Sequence, residues 1–131
     1  ILVGLVGSEM CIRDSDETFP YYLQWLHYAE GSIMPHVNTI VVETILLPPE
    51  RKNEVNVARA FKLLNVALIN VNNNLENKNF LTGIFSGADI MTGHACIGAK
   101  RVGADISKMG NISNYIECLM SRPALQKAMK I

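Results

Sequence analysis

Phe80-Leu81-Thr82-Gly83-Ile84-Phe85-Ser86-Gly87-Ala88-Asp89-Ile90 is the stretch from which the fold is read. Ser86 and Asp89 stand three apart, directly before an apolar run, at the spacing of a capping box that starts a helix. The Ser86 hydroxyl is placed to accept from the Asp89 backbone N–H. The Asp89 carboxylate is placed to reach back to the Ser86 N–H. Aspartate has a shorter reach than the usual Glu or Gln but offers the same chemistry. Phe85 precedes the cap and Ile90 is the fourth helical residue, the positions of a hydrophobic staple.

The helix begun here runs from Gly87 to about Val102, where Val102-Gly103 ends it. Between Ile90 and Ala99 it carries no formal charge. Gly93, Ala95, Gly98 and Ala99 alternate with Ile90, Met91 and Ile97. A helix apolar nearly all round is buried nearly all round. Glycine lowers helix propensity, which is tolerable where it lets neighbouring helices approach closely. This is the expected central helix.

Upstream, residues 16 to about 47 read as one long helix capped by Asp16. Phe19, Tyr22, Leu23, Leu26, Ala29, Ile33, Val37, Ile40, Val41 and Thr44 recur at spacings of three and four, a continuous helical stripe. Pro35 removes a backbone hydrogen bond and crowds the preceding turn, so a kink is expected near Gly31–Met34. The β-branched run from Val41 to Leu47 leaves a strand as the alternative there. Pro48-Pro49 ends the element. A second stripe of Tyr21, Trp25, Tyr28, Ser32 and His36 is expected to face outward as a contact surface, since aromatics with polar tips suit such positions. The next helix is expected from Glu50 to about Asn77, with Val57, Phe61, Leu64, Leu68, Val71 and Leu75 buried. Seven of the fifteen residues from Asn65 to Asn79 are asparagine. These read as solvated positions of a fraying helix end. A short amphipathic segment over about Met109–Met120 shows Ile112, Tyr115, Ile116 and Leu119 on one face. Pro123 then starts a last helix, as proline suits the first helical position.

No stretch of any length alternates as a strand does. The fold class is therefore all-α, a helical bundle with a long kinked first helix and a central buried capped helix. Residues 1–15 are set apart as a non-native or disordered leader, and residues 16–131 form the helical domain. The leader lacks an initiator Met and a basic region ahead of its apolar run, so it is a poor signal peptide. Ser8-Glu9-Met10-Cys11-Ile12-Arg13-Asp14-Ser15 resembles a peptide translated from sequencing-adapter DNA; a genuine terminal strand or the tail of a preceding domain is the alternative.

The chain has 131 residues with 49% hydrophobic and 18% charged, the composition of a globular domain. Twelve basic and twelve acidic residues cancel, which argues against nucleic acid as a partner. No apolar run approaches the ~18 residues of a membrane span. The three cysteines (Cys11, Cys96 and Cys118) form no CxxC pair, and reduced thiols in a cytoplasmic protein are expected. His27, His36 and His94 lack metal-ligand spacing with a third partner, so no metal site is expected. There is no phosphate-binding glycine loop and no nucleophile elbow. Cys96, on the buried helix, is expected to be inert.

Tyr22-Leu23-Gln24-Trp25-Leu26-His27-Tyr28-Ala29-Glu30-Gly31-Ser32-Ile33-Met34-Pro35 resembles the first helix of the C-terminal domain of glutathione S-transferases. Phe80–Ile90 is similar to that family's capping-box and staple motif, and Ser121-Arg122-Pro123-Ala124-Leu125-Gln126-Lys127-Ala128 to its closing segment. The three motifs come in family order, and the resemblance covers residues 16–131. The Ala-Glu-Gly-Ser…Met-Pro variant resembles cytosolic transferases of bacteria and fungi.

The resemblance implies a dimeric parent enzyme of the detoxification type, which joins the thiolate of glutathione to a hydrophobic electrophile. It also implies that glutathione is bound mainly by an N-terminal thioredoxin-like domain, which supplies the thiol-activating residue and is missing from residues 16–131. By position, Tyr28, Ser32, Met34 and Pro35 would line or border the electrophile pocket, and Glu30 would approach glutathione. No catalytic residue is expected in this chain, and the fragment alone is expected to be inactive. The alternative is a non-catalytic interaction module of the same fold, as in translation-associated adaptors.

Removal of the cap hydroxyl provides the first test. Ser86→Ala should lower unfolding free energy by roughly 0.5–2 kcal/mol in denaturant titrations, with glutathione affinity of a complete enzyme nearly unchanged.

Overall fold

The computed structural model describes residues 17–130. The leader 1–15 and the expected cap Asp16 lie outside the described residues. Among the described residues the regular structure is all helical, with no strand. No helix among them is long and apolar enough to cross a membrane.

The first helical stretch begins with α1, Phe19–Tyr28, which has Pro20 in its first turn. It then widens into a π-turn over Ala29–Ile33, closed by the Met34 N–H on the Ala29 carbonyl. Helix α2, Met34–Val41, follows, and a second π-turn spans Val42–Leu46. The expected kink is thus a π-turn. A proline ring collides with the carbonyl four residues back, here that of Gly31, and a widened turn is a standard way to relieve the collision. The strand alternative for Val41–Leu47 is excluded, because the chain turns extended only at Leu47 and Pro48.

The core stripe holds at Ala29, Ile33, Val37 and Ile40, all buried. It fails at Thr44, which is exposed and donates its hydroxyl back to the Ile40 carbonyl at 2.6 Å. The outward aromatic stripe also needs correction. Tyr21 is exposed, but Trp25 is only 5% exposed and belongs to the core. Its ring centroid lies 4.9 Å from that of Tyr28, and its carbonyl accepts from the buried Thr92 hydroxyl at 2.6 Å. Trp25 sits four residues before Ala29, on the core face, and its polar tip does not oblige it to leave that face.

Helix α3 spans Glu54–Asn74, after a single 3-10 turn at Pro49–Arg51. It starts four residues later than Glu50 because Asn53 caps it, accepting from the Val55 and Asn56 N–H groups at 3.0 and 3.2 Å. Glu43 fastens this start to the end of the first stretch. Its carboxylate accepts from the Asn56 side chain at 2.9 Å and the Asn53 N–H at 2.8 Å. Those two bonds hold the Glu43 carboxyl below its ordinary range. Ala60, Leu64, Ala67, Leu68 and Val71 form the buried face, with Leu75 just beyond; Val57 and Phe61 are half-buried.

Helix α4, Gly87–Arg101, packs against α1, the first π-turn, α2 and the next helix, α5, Gly110–Met120. It is the central helix. Gly93 is required at one crossing: a Cβ there would strike the Leu119 side chain of α5. Gly98 meets nothing within 4 Å, so close approach does not explain it. Gly103, at φ +98, closes α4, with the Ala104 N–H returning to the Ala99 carbonyl at 3.0 Å. Helix α6, Pro123–Ala128, packs on α5.

The asparagine-rich run is not merely solvated. Asn72 on α3 caps α5 from outside: its side-chain oxygen accepts from the Asn111 and Ile112 N–H groups at 3.1 and 3.2 Å. The Asn111 amide donates to the Asn72 carbonyl at 2.9 Å. Asn74 donates to the Leu81 carbonyl at 2.9 Å, and Asn77 takes the left-handed conformation at φ 58 that asparagine tolerates. Asn72→Ala should therefore cost about 1–2 kcal/mol, measured by denaturant unfolding. Asn73→Ala, at an exposed neighbour, should stay within about 0.5 kcal/mol.

Candidate functional site

The loop from Phe80 to Ser86 delivers the chain to the N-terminus of α4. Both halves of the expected capping box are present, and the Ser86 N–H donates to Asp89 Oδ2 at 2.9 Å. Asp89 does more than close the box. Its Oδ1 accepts from the Leu81 N–H at 3.0 Å and from the Tyr115 hydroxyl of α5 at 2.9 Å. The Ser86 hydroxyl lies 3.3 Å from Oδ2. This carboxylate is 1% exposed. Burial pushes its carboxyl above the ordinary range, against the pull of four hydrogen bonds that favour the anion. The Tyr115 phenol is pushed up in turn by burial and by the Asp89 charge.

A cleft of about 600 Å³ opens on the outer side of this node. One wall is α4, through Ile90, Met91, His94 and Ile97. The opposite wall is the closing segment, through Arg122, Ala124, Leu125 and Ala128, with Leu119 at its base. Phe85 stands at the start of α4 and Glu30 comes from the first π-turn. The lining is predominantly apolar. The expectation that α4 is buried nearly all round is corrected here: Ile90 is 47% and Met91 39% exposed, and His94 is exposed. The inner face of α4 meets α1, α2 and α5, and its outer face forms the cleft wall.

Phe85 and Ile90, the expected staple pair, both line this cleft. The Phe85 ring packs edge-on against Phe80, with centroids 5.5 Å apart at 72°. The Arg122 guanidinium sits 3.6 Å from the centre of the Phe85 ring, a cation–π contact of about 0.5–1 kcal/mol near a surface. It links the cap of α4 to the start of α6.

Of the residues expected to bind ligands, Glu30 lines the cleft, and Tyr28, Ser32, Met34 and Pro35 do not. Tyr28 is half-buried and turned toward α3: its hydroxyl donates to the Ala67 carbonyl and accepts from the Asn70 amide, each at 3.2 Å. Met34 packs against the core, Ser32 is half-buried and Pro35 is exposed. Ile90, Met91, His94, Arg122 and Leu125, none of them expected from the sequence to bind a ligand, also line the cleft. Ile90, Met91 and His94 carried no mark that separates an outer apolar face from an inner one.

Among the described residues no group of three or more His, Cys, Asp or Glu could hold a metal ion. Cys96 is fully buried, and burial pushes its thiol up to about 12, away from the thiolate needed for reaction.

No family model matches the chain, and no curated protein matches it. Solved structures do. A glutathione transferase from Methylococcus capsulatus superposes with a TM-score of 0.82 at 26% identity, over 98% of this chain and 62% of that one. A glutathione transferase from Phanerochaete chrysosporium, solved with oxidized glutathione, gives 0.83 at 19% identity, over 98% and 62%. A glutathione S-transferase from Xylella fastidiosa gives 0.77 at 24% identity, over 88% and 57%. The chain thus spans about three fifths of the length of these structures.

The site's organising contact can be tested directly. Asp89→Ala leaves the Leu81 N–H, the Ser86 N–H and the Tyr115 hydroxyl without their acceptor and should cost about 3–5 kcal/mol. Tyr115→Phe should cost about 1 kcal/mol. The double variant should lose less than the sum, as read by equilibrium unfolding, because both changes break one shared bond.

Proposed function

We propose that this chain, which has the all-α fold of the C-terminal domain of glutathione transferases, shapes the electrophile side of such an enzyme's active site. The observation that supports this most is the apolar cleft between α4 and the closing segment, with the Glu30 carboxylate on its border. Its size suits a small apolar molecule. Glutathione is the proposed co-substrate. Among the solved neighbours, a Burkholderia graminis enzyme holds two glutathione molecules per subunit, and the Phanerochaete chrysosporium enzyme holds oxidized glutathione, the disulfide form.

In this reading the thiolate sulfur of glutathione attacks the electrophilic carbon: a carbon–sulfur bond forms as the carbon's bond to its leaving group breaks, and that group departs with the electron pair. Activation of the thiol belongs to a thioredoxin-like domain. This chain contributes position: it removes the electrophile from water and holds it within reach of the sulfur. Glu30 is the residue of this chain proposed to face glutathione, since a carboxylate suits its ammonium group.

A face of exposed apolar residues favours a partner chain as well. Val55, Leu63, Val66 and Ile69 on α3 are 76%, 40%, 54% and 41% exposed, and Ile45 and Leu46 of the second π-turn 69% and 68%. A homodimer of a cytoplasmic enzyme is the reading we favour for it. A non-catalytic interaction module of the same fold would use such a face too.

Mixing the 131-residue chain with glutathione and a generic aromatic electrophile should give conjugation at the uncatalysed rate. Catalysis well above that background would contradict the assignment of thiol activation to another domain.

A further inference from the structure

We draw no further inference here: the strongest candidate, the polar pocket of about 190 Å³ between the loop that follows α3 and the helix α5, carries nothing, because its Asn77, Lys78, Asn79 and Asn114 side chains and its lone Cys118 thiol are all exposed to water, and among the described residues no buried polar side-chain atom lacks a hydrogen-bond partner that a ligand would supply.

Discussion

A carboxylate excluded from water must find its donors inside the protein, and Asp89 finds four in three different parts of the chain. Leu81 comes from the loop, Ser86 from the cap and Tyr115 from the neighbouring helix. No other side chain in the described structure ties so many separate segments. The bonds determine where α4 begins, how the loop arrives there, and where α5 lies across it. Desolvation acts against the charged form, so the arrangement is favourable only with all donors in place. A partly satisfied node would be worse than an apolar one, which makes this contact all-or-none in character.

The rest of the bundle follows from what α4 shows on each side. Its inner side is small: Gly93 admits Leu119, and Thr92 reaches across to the Trp25 carbonyl. Close approach of α1 and α5 leaves α4 an outer side with no helix over it, and there Ile90, Met91 and His94 become a wall of the cleft. The site therefore depends on the fold in a specific way. The cap sets the direction of α4, the direction sets the width between α4 and the closing segment, and Arg122 over Phe85 spans that width at one end.

Local signals in the sequence carried the fold well. The Ser86–Asp89 spacing, the Pro35 disruption, the Gly103 stop and the small-residue composition of α4 each have a short-range physical cause, and each is present in the structure. What was not legible depends on contacts between distant segments. Asn72 looks like any polar residue near a helix end until α5 places its first N–H groups against it. Asn53, ten residues from Glu43, starts α3 late for a similar reason. Trp25 is of a residue type that suits surfaces, although its period suits the core, and the period prevails. The cleft was hidden for the same cause: periodicity distinguishes one face of an amphipathic helix from the other, and α4 is apolar on both. Glu30 is marked in the sequence by resemblance alone, because residue spacing does not encode the π-turn that carries it to the cleft.

The Asp89 node should open only when the whole domain does. Native-state hydrogen exchange of the Leu81 and Ser86 amides tests it most directly, because both N–H groups donate to that one carboxylate. Both should exchange with the free energy of global unfolding, in step with the amides of buried Cys96 and Ala99 in the middle of α4. Exchange of Leu81 and Ser86 through a local opening, orders of magnitude faster than those helix amides, would contradict it.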